Sequence, residues 1–362
     1  MRRIILFGLL FFMFFCFFSN VIASTSSASS YILMDQFSGR VLAYKDMNSS
    51  RLIASITKIM TAITAIESGK VNDVVTVDDS ILNAYGSGIY IEVGEEILLR
   101  DLLYGLMLRS GNDAAIMIAT YVAGSEEEFV DMMNNKAKEL GMNNTIFYNS
   151  SGLPTPRGNY SSVYDMALLT RYAMNNDIYR DIVSTVKYNV TTNKKTYIWN
   201  NKNKLLKYDY ITGGKTGYTE ESGRTLVSTA TINDMNLIVV TIRDSDDWNT
   251  HLELYNYAKD NYYGYKVLNK NKFNVIGDTY YRDCNFYIKN DVYLPLKKNE
   301  KGNLISHIVL DKKERYNNDD KVGINQIFLD DTLLYEENIY IKKNSVVKKK
   351  NVFMKIKEWF ND

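Results

Sequence analysis

Hydrophobic positions change period several times along the chain, and each change marks an element. Tyr31–Met34 and Val41–Tyr44 are short β-prone runs on either side of Phe37-Ser38-Gly39, which predicts two strands joined by a turn. Between 55 and 68, Ile56, Ile59, Met60, Ile63 and Ile66 recur at helical spacing, and Gly69 stops the run. Further helices are expected at Asp101–Arg109, Asp113–Val122, Glu126–Leu140 and Tyr164–Asn175. Strand patterns then return at Thr225–Ile232 and Leu237–Arg243, flanking a turn at Asn233-Asp234, and Leu252–Tyr262 reads as a closing helix on the same sheet. Strands at both ends with helices between them predict an α+β domain. Beyond about residue 265, short β-prone runs (Asn285–Lys289, Val292–Leu296, Ile305–Leu310, Asn338–Lys342) alternate with polar turns and predict a small all-β domain.

The two ends read differently. Arg2 and Arg3 precede the apolar run Ile4–Phe18, and Val21-Ile22-Ala23 places small residues where a signal peptidase cuts, so 1–23 reads as a secretory signal. An uncleaved membrane anchor is the alternative, although the run is short for a span. At the other end, 342–362 carries seven lysines and two acidic residues. Val352, Phe353, Ile356, Trp359 and Phe360 share one helical face there, with Lys355 and Lys357 opposite. This basic amphipathic pattern suits the surface of an anionic membrane, and packing on the protein's own body is the alternative.

Composition narrows the function. The 362 residues carry 43 basic and 42 acidic side chains, and the balance argues against a general nucleic-acid binder. Once both ends are set aside the body is acidic. Cys16, Cys284, His251 and His307 are too scattered to assemble a zinc motif, and cleavage of the signal would leave Cys284 alone, without an internal disulfide. Cys284 is expected to be a buried residue of the β-rich part, and the two histidines are assigned no function.

Three short motifs carry the candidate chemistry: Ser55-Ile56-Thr57-Lys58, Ser110-Gly111-Asn112 and Lys215-Thr216-Gly217. Serine attacks poorly until a base takes its proton. A lysine three residues further along a helix shares the serine's face and serves as base if its pKa is lowered. A second serine and an amide can relay protons and hold a peptide backbone, and a lysine on a strand edge can attract a carboxylate. Such a set performs acyl transfer without histidine. Ser-x-x-Lys also occurs at Ser184–Lys187 and Ser345–Lys348, which are read as solvated faces; the Ser55 copy is distinguished by the two motifs that follow it. The ordered triple is the signature of class A β-lactamases and penicillin-binding proteins.

The chain resembles the low-molecular-mass penicillin-binding proteins of the D-alanyl-D-alanine carboxypeptidase type over roughly residues 30 to 262. The likeness includes Ala54-Ser-Ile-Thr-Lys-Ile-Met-Thr61, Ser110-Gly-Asn-Asp-Ala-Ala115, Asn149-Ser-Ser-Gly-Leu153 and Lys215-Thr-Gly-Tyr-Thr219. It implies a signal at 1–23, a transpeptidase-like domain at 24–262 (antiparallel sheet flanked by helices), a β-rich domain at 265–341 and a membrane-associating tail at 342–362.

The resemblance also implies roles. Ser55 would attack the carbonyl between two D-alanines of a peptidoglycan stem peptide, and Lys58 would take its proton. Ser110 and Asn112 would protonate the leaving group and align the peptide. Lys215, with Thr216 beside it, would bind the terminal carboxylate. Gly217 belongs to the same substrate-binding segment, and the backbone N–H groups of Ser55 and Tyr218 would form the oxyanion hole. β-Lactams would acylate the same serine. No metal or organic cofactor is implied, and the location is the outer face of the cytoplasmic membrane.

Two features depart from related patterns. No Glu-x-x-Leu-Asn segment follows Ser110, which lowers the β-lactamase reading. Relatives often carry an arginine after the last main strands; Arg243 lies in that region, and its role is left open. A D,D-endopeptidase of the same fold and a non-catalytic β-lactam-binding wall scaffold are the alternative functions.

Overall fold

The structure is a computed structural model and describes residues 26–344. The expected signal, the amphipathic tail beyond Asn344 and the Ser345–Lys348 motif lie outside the described residues.

An antiparallel sheet organises the first part of the chain. Its strands are β1 (Ser30–Asp35), β2 (Val41–Lys45), β3 (Ile211–Thr219), β4 (Gly223–Ile232) and β5 (Met235–Ile242), in the order β2-β1-β5-β4-β3. Period-two alternation divides β1, β4 and β5 between two cores. Ile32, Met34, Val227, Ile238 and Val240 face the helical cluster, whereas Tyr31, Leu33, Leu226, Leu237 and Val239 face the closing helix. Asn233 and Asp234 both adopt positive φ in the β4–β5 turn, the conformation a two-residue hairpin requires.

Helices α1 (Lys58–Glu67), α2 (Leu99–Tyr104), α3 (Asn112–Ala123), α4 (Glu126–Glu139), α5 (Val163–Ala173) and α6 (Asp177–Ser184) lie on one side of the sheet, and α7 (Asp247–Asn261) covers the other. The first helix departs from its sequence reading in two ways. It begins with a 3-10 turn, Ala54–Thr57. Every residue from Lys58 to Ile66 is then buried, so α1 is a central helix surrounded by others and not an amphipathic one. The helix expected over Asp101–Arg109 is α2 continued by a π-helical segment, Gly105–Arg109. Helix α6 and the hairpin Lys187–Thr191/Thr196–Asn200 were not anticipated.

After α7 the chain forms strands: β6 (Tyr263–Leu268), β7 (Cys284–Tyr287), β8 (Val292–Leu296), β9 (Leu304–Leu310), β10 (Lys321–Leu329) and β11 (Thr332–Lys343). β6 pairs with β8, and the other four form a sheet in the order β7-β11-β10-β9. β6 and β10 were missed in the sequence, and β11 is longer than expected, carrying Lys342 and Lys343 within the sheet. Cys284 is buried there. Arg40 in the β1–β2 turn bonds Glu300 twice, at 2.7 and 3.0 Å, and the Pro295 carbonyl at 2.6 Å, tying the β-rich part to the first sheet.

Candidate active site

Ser55 stands in a constrained turn. Ala54 just before it has φ 47°, a region a residue with a Cβ rarely occupies. In the 3-10 turn side chains three apart eclipse one another, which places Lys58 over Ser55. Lys58 Nζ lies 3.2 Å from Ser55 Oγ. The lysine is completely buried and donates to Asn112 Oδ1 at 2.7 Å and to the Ser151 carbonyl at 2.5 Å. Burial, helped by Lys202, lowers its pKa to about 7 against the opposing influence of Asp113 and Glu126.

The proton count follows from these contacts. A neutral amine has two N–H bonds and one lone pair. As an ammonium, Lys58 donates to Asn112 Oδ1, to the Ser151 carbonyl and to Ser55 Oγ; once neutral, it keeps hydrogens for the first two acceptors and turns its lone pair to the Ser55 hydroxyl. The Asn112 amide is itself fixed, because its Nδ2 donates to the Tyr85 carbonyl at 2.6 Å and so turns Oδ1 toward Lys58.

Ser110 occupies the joint between the π-helical segment and α3, with φ 65°. Lys215, on the edge strand β3, donates to Ser110 Oγ at 3.1 Å and to the Thr216 carbonyl at 2.7 Å. Lys215 is buried; desolvation first, then Lys58 and Lys202, pulls its pKa well down. A carboxylate arriving beside it would restore the ammonium. Gly217 permits the contact between β3 and the turn, since a Cβ there would lie 2.4 Å from Thr225 Oγ1 and 2.9 Å from the Ser55 nitrogen.

A cleft of about 390 Å³ opens above these groups. Ser55, Ser110, Thr216, Gly217 and Tyr218 line it, and Lys58, Asn112 and Lys215 are tied to it by the bonds just described. The eight residues singled out in the sequence are thus gathered in one place. Lys202, Lys204 and Arg224 also line the cleft and make it suited to an anion. Arg224 bonds Asp247 at 2.7 Å, and its guanidinium lies 5.4 Å from the centre of the Trp248 ring. These residues and the Ser151 carbonyl were missed as site groups, because none belongs to a short motif with its own chemistry.

Other candidates lie elsewhere. Arg243 lines a separate pocket with Arg51, Tyr160 and Glu221. Ser184 ends α6 and bonds the Asp181 carbonyl. His251 is fully buried between Ser228 Oγ at 2.6 Å and Thr241 Oγ1 at 3.2 Å, and burial lowers its pKa to about 3.

The chain matches the profile of the D-alanyl-D-alanine carboxypeptidase family over residues 19–246, and that of the C-terminal domain of penicillin-binding protein 5 over 262–348. It belongs to the D-alanyl-D-alanine carboxypeptidase family. D-alanyl-D-alanine carboxypeptidase DacF of Bacillus subtilis is 39% identical over 220 residues, which is 59% of this chain but only 56% of DacF. DacD of Salmonella typhimurium is 30% identical over 311 residues, covering 79% of this chain and 77% of that protein. Among solved structures, penicillin binding protein 5 from Haemophilus influenzae superposes with a TM-score of 0.71 at 25% identity, covering 90% of this chain and 99% of the other.

Proposed function

We propose that this protein is a serine-type D-Ala-D-Ala carboxypeptidase acting on peptidoglycan stem peptides. The observation that carries the reading is the buried Lys58 Nζ, 3.2 Å from Ser55 Oγ and held there by Asn112 Oδ1 and the Ser151 carbonyl. Family membership supplies the substrate class.

The terminal carboxylate binds at Lys215 and Thr216, with Arg224 at the same cleft. Lys58 takes the Ser55 proton as Oγ attacks the carbonyl between the two D-alanines. The oxyanion is held by the N–H groups of Ser55 and Tyr218, a role favoured by the close approach of β3 at Gly217. As the C–N bond breaks, the proton passes through Ser110 to the departing amine, and D-alanine leaves. Water then attacks the acyl-enzyme, giving its proton back through Lys58 and releasing the shortened peptide. A β-lactam acylates the same serine, but its leaving group stays tethered.

We also propose that the protein is exported and held at the outer face of the cytoplasmic membrane, with functional units at 24–262 and 265–341. The signal pattern at 1–23 and the basic amphipathic pattern in the tail support this placement. Among the described residues no helix is long and apolar enough to cross a membrane. Removing the residues after Asn344 should release the protein from membranes with activity intact; continued membrane association after signal cleavage would contradict a tail anchor.

The activity is tested with diacetyl-Lys-D-Ala-D-Ala. Release of one D-alanine per peptide is expected. Acylation by penicillin without release from this peptide would move the reading to an endopeptidase or to a β-lactam-binding scaffold.

A further inference from the structure

The Ser151 carbonyl that takes one hydrogen of Lys58 belongs to the loop 149–153, which must itself be held. Part of the restraint is internal: Asn149 Oδ1 accepts the N–H of Ser151 at 3.2 Å and of Gly152 at 2.7 Å. Thr61 on α1 donates to the Ser150 carbonyl at 2.6 Å. Gly152 has φ 87°, and a Cβ on it would lie 2.0 Å from the Ala54 carbonyl oxygen, so the loop is pressed onto the turn that carries Ser55.

The outer restraint is Glu126, the first residue of α4. Its Oε1 accepts the Ser150 N–H at 2.8 Å and the Ser150 hydroxyl at 2.5 Å. This carboxylate is not needed to cap α4, because Ser125 already does so by accepting the Glu128 N–H at 3.1 Å. Its bonds go to the residue adjoining the carbonyl that orients Lys58.

We infer that Glu126 is a positioning residue: through Ser150 it fixes the Ser151 carbonyl and so aims the Lys58 lone pair at Ser55. The inference rests on the reading of Ser55 as nucleophile and Lys58 as base. Ser150 is held between two elements, by Glu126 of α4 through its N–H and hydroxyl and by Thr61 of α1 through its carbonyl. Loss of either side lets the Ser151 carbonyl swing and allows the amine to turn a hydrogen, not its lone pair, toward the serine.

The test compares Glu126→Ala, Glu126→Gln and Ser150→Ala by the rate of acylation with fluorescent penicillin across pH 5 to 9 and by thermal melting. Charged groups acting on Lys58 are Asp113 and Glu126, which favour its protonated form, and Lys202, which opposes it; Lys58 in turn lowers the pKa of the nearby Lys215. Glu126→Ala should acylate about tenfold more slowly, the scale of a lost hydrogen bond to a charged group. Glu126→Gln keeps an acceptor oxygen and should recover most of the rate. Its acid limb should move to lower pH, because a charge favouring the protonated lysine is gone. Ser150→Ala keeps only the N–H bond and should fall between them.

Wild-type acylation by folded Glu126→Ala would overturn the inference, as would equal losses in Ala and Gln with an unmoved limb. If Glu126→Ala does not fold, the limb of Glu126→Gln and the rate of Ser150→Ala decide: no shift and no loss would overturn it. Failure of the wild type to be labelled at Ser55 would instead overturn the underlying reading of the site.

Discussion

Gly217 and Ser55 meet backbone to backbone: a Cβ added to Gly217 would stand 2.9 Å from the Ser55 amide nitrogen and 3.1 Å from that of Ile56. The edge strand therefore runs directly against the turn that presents the nucleophile. Gly217→Ala must push β3 away from the serine. Loss of one oxyanion donor costs on the order of 100-fold in such reactions, so acylation should fall by at least about tenfold while the protein stays folded. A wild-type acylation rate in Gly217→Ala would show that this contact does not shape the oxyanion site.

The pH profile follows from Lys58. With its pKa near 7, the amine is protonated and unable to accept a proton at lower pH, and free to do so at higher pH. Acylation should rise through pH 7 toward a plateau. Lys202 is a like charge that lowers the Lys58 pKa, so Lys202→Gln should move the limb upward. A limb that stays in place would separate the observed titration from Lys58.

Lys215 on β3 and Arg224 on β4 are the cations proposed to share the substrate carboxylate. Arg224 stands opposite Tyr218 in the strand register and lines the cleft. Arg224→Gln should raise KM for a peptide ending in a free carboxylate by about tenfold, the scale of one charge-assisted bond, and change little for the corresponding peptide amide. Equal effects on both peptides would show that Arg224 acts on the wall of the cleft through Asp247 and Trp248, without contacting the carboxylate.

Arg40 links the two parts of the fold. Its guanidinium pairs with Glu300 and lies 5.5 Å from the Tyr262 ring centre, and Phe37 stacks on Tyr335 at 4.4 Å beside it. Both partners of the ion pair are largely buried, so Arg40→Ala leaves a poorly solvated carboxylate and should cost about 1–3 kcal/mol. The melting temperature should fall without loss of penicillin acylation. Unchanged melting would show that the pair is not what holds the two parts together.

Much of the site was legible because its chemistry resides in short motifs. Ser55 and Lys58 are three apart in sequence and in contact in space, and a 3-10 turn serves that spacing as well as the α-helix expected. Groups recruited over long distances left no such trace. Ser151 acts through its carbonyl, which any residue supplies, and Arg224 looks like any other strand arginine until the register sets it at the cleft. Arg243 had the more suggestive place in the sequence and lines another pocket. In the fold, α1 showed an apolar stripe although Lys58, Thr61 and Thr64 are buried too, the first two with polar partners that a periodicity cannot reveal. The strands β6 and β10 were missed because Gly264, Gly323 and interspersed polar residues break their alternation.

The central claim is that Ser55 is the nucleophile and Lys58 its base. Its most direct test is the mass of the intact protein after incubation with penicillin, with the labelled peptide sequenced, in the wild type, Ser55→Ala and Lys58→Ala. The account predicts one adduct on Ser55 in the wild type, none in Ser55→Ala, and formation slowed by orders of magnitude in Lys58→Ala. An adduct persisting in Ser55→Ala, or forming at an unchanged rate in Lys58→Ala, would contradict it.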